Sequence, residues 1–264
     1  MSTVYAGPLG ANVSERAQLP PSLAISTVIF GLKPSRAEGK PTLWLPLVRR
    51  VKEPFKGQWA LPGGPLTALE SLEDAARRNL RETTGLAPEY LEQLYAFGGL
   101  DRASRPGRSA QRVVSIVYWA LVRPTEAELL AEGEETENVA WHRADTAGQG
   151  EGGLAFDHRE IIDYALWRLR NKIEYAQIAY HFLGETFTLA ELREVYEAVL
   201  GRQLDPANFR RQLKSVPQIE ATDQFLEGGR HRPPRLYRYT GPPLSVPTLD
   251  HPFPPTRPST RSTP

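Results

Sequence analysis

Between residues 21 and 171 the apolar positions alternate between two rhythms. Residues 23–32 form a run rich in β-branched side chains, which predicts a buried strand. A charged loop with Pro and Gly follows at 33–40, then a second strand at 43–51. Over 71–84 the period lengthens: Leu72, Ala75, Ala76, Leu80 and Thr83 fall at helical spacing, and Gly85 supplies a stop. Further strands are predicted at 95–100 and 113–122, the second alternating, aromatic and ended by Pro124. An acidic, short helical excursion at 126–135 and a strand at 139–142 come next. Residues 159–171 carry Ile161, Ile162, Ala165, Leu166 and Leu169 on one side of a helix. Strands in this order with two helices predict one α/β domain over 21–171.

The pattern then changes. Helices are predicted at 175–182, at 189–200 behind a Thr188 cap with Glu191 three residues later, and from Asp205 through Pro206 to about 215. Gly201 stops the second of these. Two short β-like segments at 218–222 and 236–240 enclose a Gly- and Arg-rich loop. Three helices followed by a hairpin is the layout of a winged helix, expected over 172–240. Residues 1–20 lack any period and are expected to be a flexible arm. Residues 241–264, dense in Pro, Ser and Thr, are expected to be a disordered tail.

Composition narrows the chemistry. The 264 residues suggest two modest domains, and 40% hydrophobic with 24% charged residues is a globular balance. With no cysteine, disulfides, zinc–thiolate sites and cysteine nucleophiles are excluded. No apolar run approaches the roughly 18 residues of a membrane span, and no signal pattern opens the chain, so a cytoplasmic protein without membrane contact is expected. The net charge of +1 gives no global nucleic-acid signal; any basic surface must be local.

The most specific motif begins at Gly57-Gln58-Trp59-Ala60-Leu61-Pro62-Gly63-Gly64, a Gly-rich entry to a helix where backbone N–H groups can meet phosphate. Glu70, Arg78, Leu80, Glu82, Gly85 and Leu86 continue it. This ordered set resembles the Nudix hydrolase signature, which implies a mixed β-sheet sandwiched by helices. The departures are informative. Where the family carries Arg-Glu-apolar-any-Glu-Glu, this chain reads Arg78-Asn79-Leu80-Arg81-Glu82-Thr83. Positions 79, 82 and 83 share a side of the helix. Three carboxylates there would cage a divalent cation, which prefers charged oxygen ligands. Here the formal charge of the cage falls from roughly −3 to roughly −1, and with it the means to activate water or neutralise pyrophosphate. No metal site and no catalytic residue is therefore assigned, and a non-enzyme is expected. Glu134, Glu135 and Glu137 are donors that could restore a trace of activity. Glu70 and Arg78 also admit a plain ion pair that orders the loop.

Pro54-Phe55-Lys56-Gly57, Leu61-Pro62-Gly63-Gly64, Ser115-Ile116-Val117-Tyr118 and Leu154-Ala155-Phe156-Asp157-His158 resemble the ADP-ribose branch of that family. The resemblance implies a pocket for ADP-ribose or another NAD-derived nucleotide. Its candidate ligand-binding residues are Arg50, Phe55, Trp59, Gly63, Gly64, Arg78, Glu82, Arg102, Phe156 and His158. Arginine can pair with phosphate and an aromatic face can stack adenine. Trp59 reads equally as core packing, the Arg102 loop as solvated, and Asp157 with His158 as a helix cap.

On the predicted third helix, Phe209 and Leu213 face inward, leaving Asn208, Arg210, Arg211, Gln212 and Lys214. Asn, Gln and Arg can read base edges, while Arg210 and Lys214 can span phosphates. Arg230, Arg232 and Arg235 make the hairpin tip basic. With Thr188, these residues (Gln212 apart) are the candidate DNA-binding set. A winged helix used for protein contacts, its charges solvated, is the plainer alternative. Phe187-Thr188-Leu189, Val195-Tyr196-Glu197-Ala198-Val199-Leu200-Gly201, Asn208-Phe209-Arg210-Arg211 and Pro234-Arg235-Leu236-Tyr237-Arg238 resemble the C-terminal domain of the NrtR family, Nudix-related regulators of NAD metabolism. Over about 20–240, the resemblance implies a homodimeric repressor on a palindromic operator near NAD biosynthesis or salvage genes. It also implies that ADP-ribose is the effector that releases DNA, with no cofactor required. Two other readings stay open: an active hydrolase of ADP-ribose or a related nucleoside diphosphate derivative, and a Nudix-fold protein whose second domain docks another protein.

Overall fold

The computed structural model describes residues 21–34, 39–99, 102, 112–123, 138–149, 153–175, 177–226 and 233–241. The expected arm, tail and acidic excursion at 126–135 lie outside them, as do Arg230, Arg232, Glu134, Glu135 and Glu137. The described chain is a mixed seven-stranded sheet with a separate two-stranded ribbon. Strands β1 (Ser22–Pro34), β2 (Pro41–Arg49), β3 (Trp59–Ala60), β4 (Gly63–Pro65), β5 (Tyr90–Phe97), β6 (Val113–Leu121) and β7 (Val139–Arg143) make the sheet. Its main path runs β3-β2-β1-β6-β5, with β4 on β1 and β7 on β2. Only β1 and β6 run parallel, paired from Ser22 opposite Val113 to Phe30 opposite Leu121.

Alternation along these strands divides the core. Ile25, Ile29, Tyr118 and Ala120 face helix α1 (Leu72–Thr84), meeting Ala75, Ala76 and Leu80. Val28, Phe30, Val117 and Trp119 face the other way, onto Ile161, Ile162, Ala165 and Leu169 of helix α2 (His158–Tyr175). A period of two along a strand guarantees this division. Helix α1 starts where the Ser71 hydroxyl accepts the Asp74 N–H at 3.1 Å, and ends at Gly85, whose φ of 73° favours glycine.

After α2 come a 3-10 helix (Gln177–Phe182), helix α3 (Leu189–Leu200), helix α4 (Pro206–Leu213) and the ribbon of β8 (Ile219–Phe225) with β9 (Arg235–Tyr239). The Thr188 cap is a reciprocal one: its hydroxyl accepts the Glu191 N–H at 3.1 Å while the Glu191 carboxylate accepts the Thr188 N–H at 2.7 Å. Asp205 caps α4 through the Asn208 N–H at 2.8 Å. A backbone bridge between Phe187 and Tyr237 closes the ribbon onto this unit. The result is the winged helix expected from the sequence. Its apolar residues Phe182, Phe187, Leu192, Val195 and Val199 join the same core cluster as Leu43 and Leu45 of β2 and the inner face of α2.

Three local expectations are corrected. The strand placed at 95–100 is Tyr90–Phe97, because Tyr90 and Leu91 bury where the chain leaves Pro88. The helix placed at 175–182 is largely a 3-10 turn. Two short strands, β3 and β4, occupy the Gly-rich entry read as loop; β4 pairs Gly63 with Ser26 and Gly64 with Ile25.

Candidate functional site

Helix α1 presents the box. Arg78 grips Glu70 with two hydrogen bonds of 2.9 Å, and reaches Glu82 and the Asn79 side-chain oxygen at 3.1 Å each. The Arg78 hydrogen bonds, and after them the Thr67 N–H, hold the Glu70 carboxyl at about 2, well below the usual carboxylate range. The ion-pair reading of Glu70 and Arg78 is thus the geometry observed. Asn79 is buried against Gly64: a Cβ at 64 would lie 2.6 Å from its Oδ1, and one at 63 only 2.3 Å from the Ile25 carbonyl oxygen. Close approach to backbone, not φ, therefore requires glycine at 63, while a side chain at 64 would have to displace the Asn79 amide. The Thr83 hydroxyl donates to the Asn79 carbonyl one turn back. Of the three positions, only Glu82 is a carboxylate, and it is exposed and paired with Arg78. Among the described residues no three His, Cys, Asp or Glu side chains converge. Positions 79, 82 and 83 thus offer one carboxylate, where a hard divalent cation prefers several charged oxygens.

A cavity of about 670 Å³ opens between the end of β5 and the start of α2, lined by Phe55, Tyr95, Phe97, Arg102, Phe156 and Asp157 among others. Its size suits a small-molecule ligand. Phe55 and Phe156 have φ values of 67° and 55°, and their rings meet edge to face at 4.8 Å. Bulky residues adopt this region at a cost of about 1–3 kcal/mol each and keep it only when their surroundings over-determine it. Here the surroundings are visible. The Arg50 guanidinium lies 4.6 Å from the Phe156 ring and its Nε donates to the Pro54 carbonyl at 2.8 Å. Arg102 clasps Asp157 at 2.5 and 2.8 Å and donates to the Phe97 carbonyl at 2.6 Å, joining the β5 end to the α2 start.

His158 is buried beside the cavity's aromatic wall, its ring 5.5 Å from that of Phe156. It is 6% exposed and lies outside the cavity lining. Its Nδ1 accepts the Leu61 N–H at 2.9 Å, pinning the strand that leads to Gly63 and Gly64. Burial holds its pKa at about 4 against the opposing pull of Asp157. Trp59 is half-buried: its ring meets His142 at 4.9 Å and the Arg49 guanidinium at 5.1 Å, and its carbonyl accepts the Ala155 N–H at 2.8 Å. The structure thus brings Phe55, Arg102 and Phe156 to the cavity and sets Arg50 and His158 behind it as supports. Gly63, Gly64, Arg78 and Glu82 remain in the box. Tyr95, Phe97 and Glu160, which also line the cavity, were not anticipated; the first two share one face of β5 by alternation, the signal that could have found them.

On the winged helix, Phe209 is buried against Tyr196, ring centroids 5.4 Å apart, which turns Asn208, Arg210, Arg211 and Lys214 to the surface. Arg210, Lys214 and Arg235 line a cavity of about 590 Å³ between α3, α4 and the ribbon. Thr188 lines it too, its hydroxyl committed to the α3 cap. Arg211 donates to the Asn208 side-chain oxygen. Arg235 Nε donates to the Thr222 carbonyl at 2.7 Å. No helix among the described residues is long and apolar enough to cross a membrane.

Comparison with known proteins agrees with this geometry. A NUDIX domain model matches residues 28–165, and the model of the NrtR DNA-binding winged helix domain matches 179–239. The ADPR responsive transcriptional repressor NtrR of Acinetobacter baylyi is 33% identical over 83% of this chain and 82% of its own. The ADP-ribose pyrophosphatase of Methanocaldococcus jannaschii is 34% identical over 46% of this chain and 66% of its own. Among solved structures, Shewanella oneidensis NrtR in complex with a 27mer DNA superposes with a TM-score of 0.68 and 31% identity, covering 82% of this chain and 93% of that one. A sheet-and-box domain and a winged helix, matched together by one repressor over most of both chains, show that this chain belongs to the NrtR family.

Proposed function

We propose that this protein is a transcriptional repressor that holds operator DNA through its winged helix and lets go when ADP-ribose enters the β5–α2 cavity. The box carries the reading. Asn79 is buried, the Thr83 hydroxyl is turned onto the backbone, and Glu82 is paired with Arg78, so the three positions do not form the carboxylate cage that would cleave a pyrophosphate. The Acinetobacter relative, named for its response to ADP-ribose, supports the effector, and the DNA-bound Shewanella structure supports the partner. NAD and its phosphorylated relatives are the competing effectors. The rest of the reading follows: a homodimer in the cytoplasm, acting on NAD biosynthesis or salvage genes, requiring no cofactor. Residues 21–171 serve as sensor and 172–240 as reader. The ligand shifts the population of interdomain arrangements by no more than its differential affinity for them.

The path between cavity and DNA is short. Helix α2 has 18 residues, roughly 27 Å, and starts at the cavity with Asp157 just before it. Near its other end Arg170 donates to the Val199 carbonyl of α3 at 3.0 Å. Strand β5 runs alongside, carrying Tyr95 and Phe97 at the cavity and Tyr90 and Glu92 at the winged-helix end. Contacts between the two, Tyr95 and Phe97 with Tyr164 and Glu92 with Lys172, are the route along which the ligand's effect would pass.

An electrophoretic mobility assay on promoter DNA of NAD genes tests the proposal: a shift at low salt, reversed by ADP-ribose, is expected. Absence of any shift on such promoters would sink it. The pyrophosphatase relative favours a second reading, an active hydrolase, which predicts Mg²⁺-dependent AMP release at ordinary enzyme rates. Two variants refine the map. Phe97→Ala should weaken ADP-ribose binding about tenfold by calorimetry, the magnitude of one lost base stack; unchanged affinity removes Phe97 from the site. Arg211→Ala should lower DNA affinity while ADP-ribose binding stays as it was, and equal loss of both would mean misfolding.

A further inference from the structure

The β8–β9 ribbon carries two exposed apolar side chains that its fold does not explain. Phe225 is 46% and Leu226 45% exposed, and neither belongs to a core cluster. The apolar residues nearer the helices behave differently: Ile219, Tyr237 and Tyr239 pack against the core. What separates the two ends is a bulge. Ala221 pairs with Tyr237 and Phe225 with Arg235, so three residues of β8 face one of β9.

This bulge is tied off rather than loose. The Thr222 hydroxyl donates to the Leu236 carbonyl at 2.9 Å, and Arg235 Nε donates to the Thr222 carbonyl at 2.7 Å. Beyond it, the Leu226 N–H donates to the Pro234 carbonyl at 2.9 Å, keeping the ribbon paired. Bulges bend and re-aim a strand end, and this one presents Phe225 and Leu226 on a held backbone at the end of the described ribbon.

The surroundings are cationic where it counts. Arg235 stands directly across from Phe225 and lines the same groove as Arg210 and Lys214 of α4. The carboxylates on the ribbon are balanced in place, Glu220 by Arg238 at 3.2 Å and Asp223 by Arg235 at 3.5 Å. An apolar pair beside a cationic groove suits a duplex minor groove, where phosphates draw the cations and an apolar wedge enters between bases. Arg210 and Lys214 in the adjoining groove add cations that a phosphate backbone attracts.

We propose that Phe225, supported by Leu226, wedges into the minor groove and partly unstacks a base step there, so that the ribbon reads DNA deformability as well as charge. The proposal rests on the DNA-binding reading above. It implies a preference for easily unstacked pyrimidine–purine steps beneath the ribbon, at positions where no base edge is contacted.

The test uses the full chain and a duplex that it shifts, chosen by selection from a randomised library. Dyes at the duplex ends report bending, and 2-aminopurine placed along the flank reports unstacking. With the wild type, bound duplex should be bent, and 2-aminopurine should brighten at one step. Phe225→Ala/Leu226→Ala should lose the brightening and the bend and bind about tenfold more weakly. Its affinity should fall with salt at the wild-type slope, because every arginine remains. Phe225→Leu should restore part of both signals, and ADP-ribose affinity should stay unchanged in both variants as a check on folding. Wild-type binding with straight, silent DNA, or a double variant that binds and bends like wild type, overturns the wedge while leaving DNA binding intact. A wild type that selects no duplex overturns both readings.

Discussion

Taking the protein from pH 7.5 to 4.5 should remove on the order of 3 kcal/mol of unfolding free energy through His158, and His158→Asn should remove most of that dependence. The ordinary histidine value is 6.5, and burial brings this one to about 4. The neutral ring is the form the fold accepts, since its Nδ1 must accept the Leu61 N–H. Between about 6.5 and 4 the unfolded chain therefore binds the extra proton and the folded chain does not. Stability rises with pH in that window, is fully present above 6.5, and is lost as pH falls toward 4. Asparagine offers a carbonyl oxygen in place of Nδ1 and cannot titrate. His158→Ala instead orphans a buried N–H and should cost about 1–3 kcal/mol at neutral pH. His181, also lowered by burial, adds a smaller slope of the same sign that His158→Asn keeps. Glu70 acts lower, its contribution lost only as pH drops below 4.5 toward 2. Chemical denaturation at both pH values checks this; parallel pH profiles of wild type and His158→Asn would refute it.

The second large effect concerns coupling. Lys172 of α2 bonds the Glu92 carboxylate and the Tyr90 hydroxyl of β5, the latter at 3.1 Å, and lies 5.5 Å over the Trp119 ring. The Tyr90 ring in turn meets His181, in the 3-10 helix that leads into the winged helix, at 5.0 Å. With Arg102 clasping Asp157 at the cavity, α2 and β5 are clamped at both ends. ADP-ribose should weaken operator binding of the wild type by about 5- to 150-fold, the usual range of coupling. Lys172→Met/Glu92→Gln should bind each ligand with near wild-type affinity and bring that ratio close to one. The double change removes both ends of the Lys172–Glu92 pair, so Glu92 is not left as a partly buried charge with Arg168 alone opposite it. By reciprocity, DNA should weaken ADP-ribose binding by the same factor in each protein, which provides an independent measurement. A full wild-type ratio in the double variant would remove this clamp from the path.

How much of this was legible beforehand varies with the range of the interaction. The capping residues Ser71, Thr188 and Asp205 act within one turn, and the caps at Thr188 and Asp205 were read directly. The division of apolar positions in β1 and β6 follows from a period of two. The box was legible because its spacing is helical, and so was its shortage of carboxylates. The extent of β5 was not, because Tyr90 and Leu91 are buried by partners in α1, α2 and β6 that lie far along the chain.

By itself, then, the amino-acid sequence determined the two fold units, the neutral residues at 79 and 83, and the basic outer face of α4, all set by composition and local period. Only the tertiary structure decided what the charged and aromatic residues of the sensor do. It placed His158 as a buried acceptor for the Leu61 N–H, and paired Arg78 with Glu70 and Glu82. It also built one cavity from Phe55, Phe97, Arg102 and Phe156, which arrive from separate loops and strands. The reason is physical. Burial and the pairing of charges depend on which distant segments meet, and no spacing along the chain encodes that meeting.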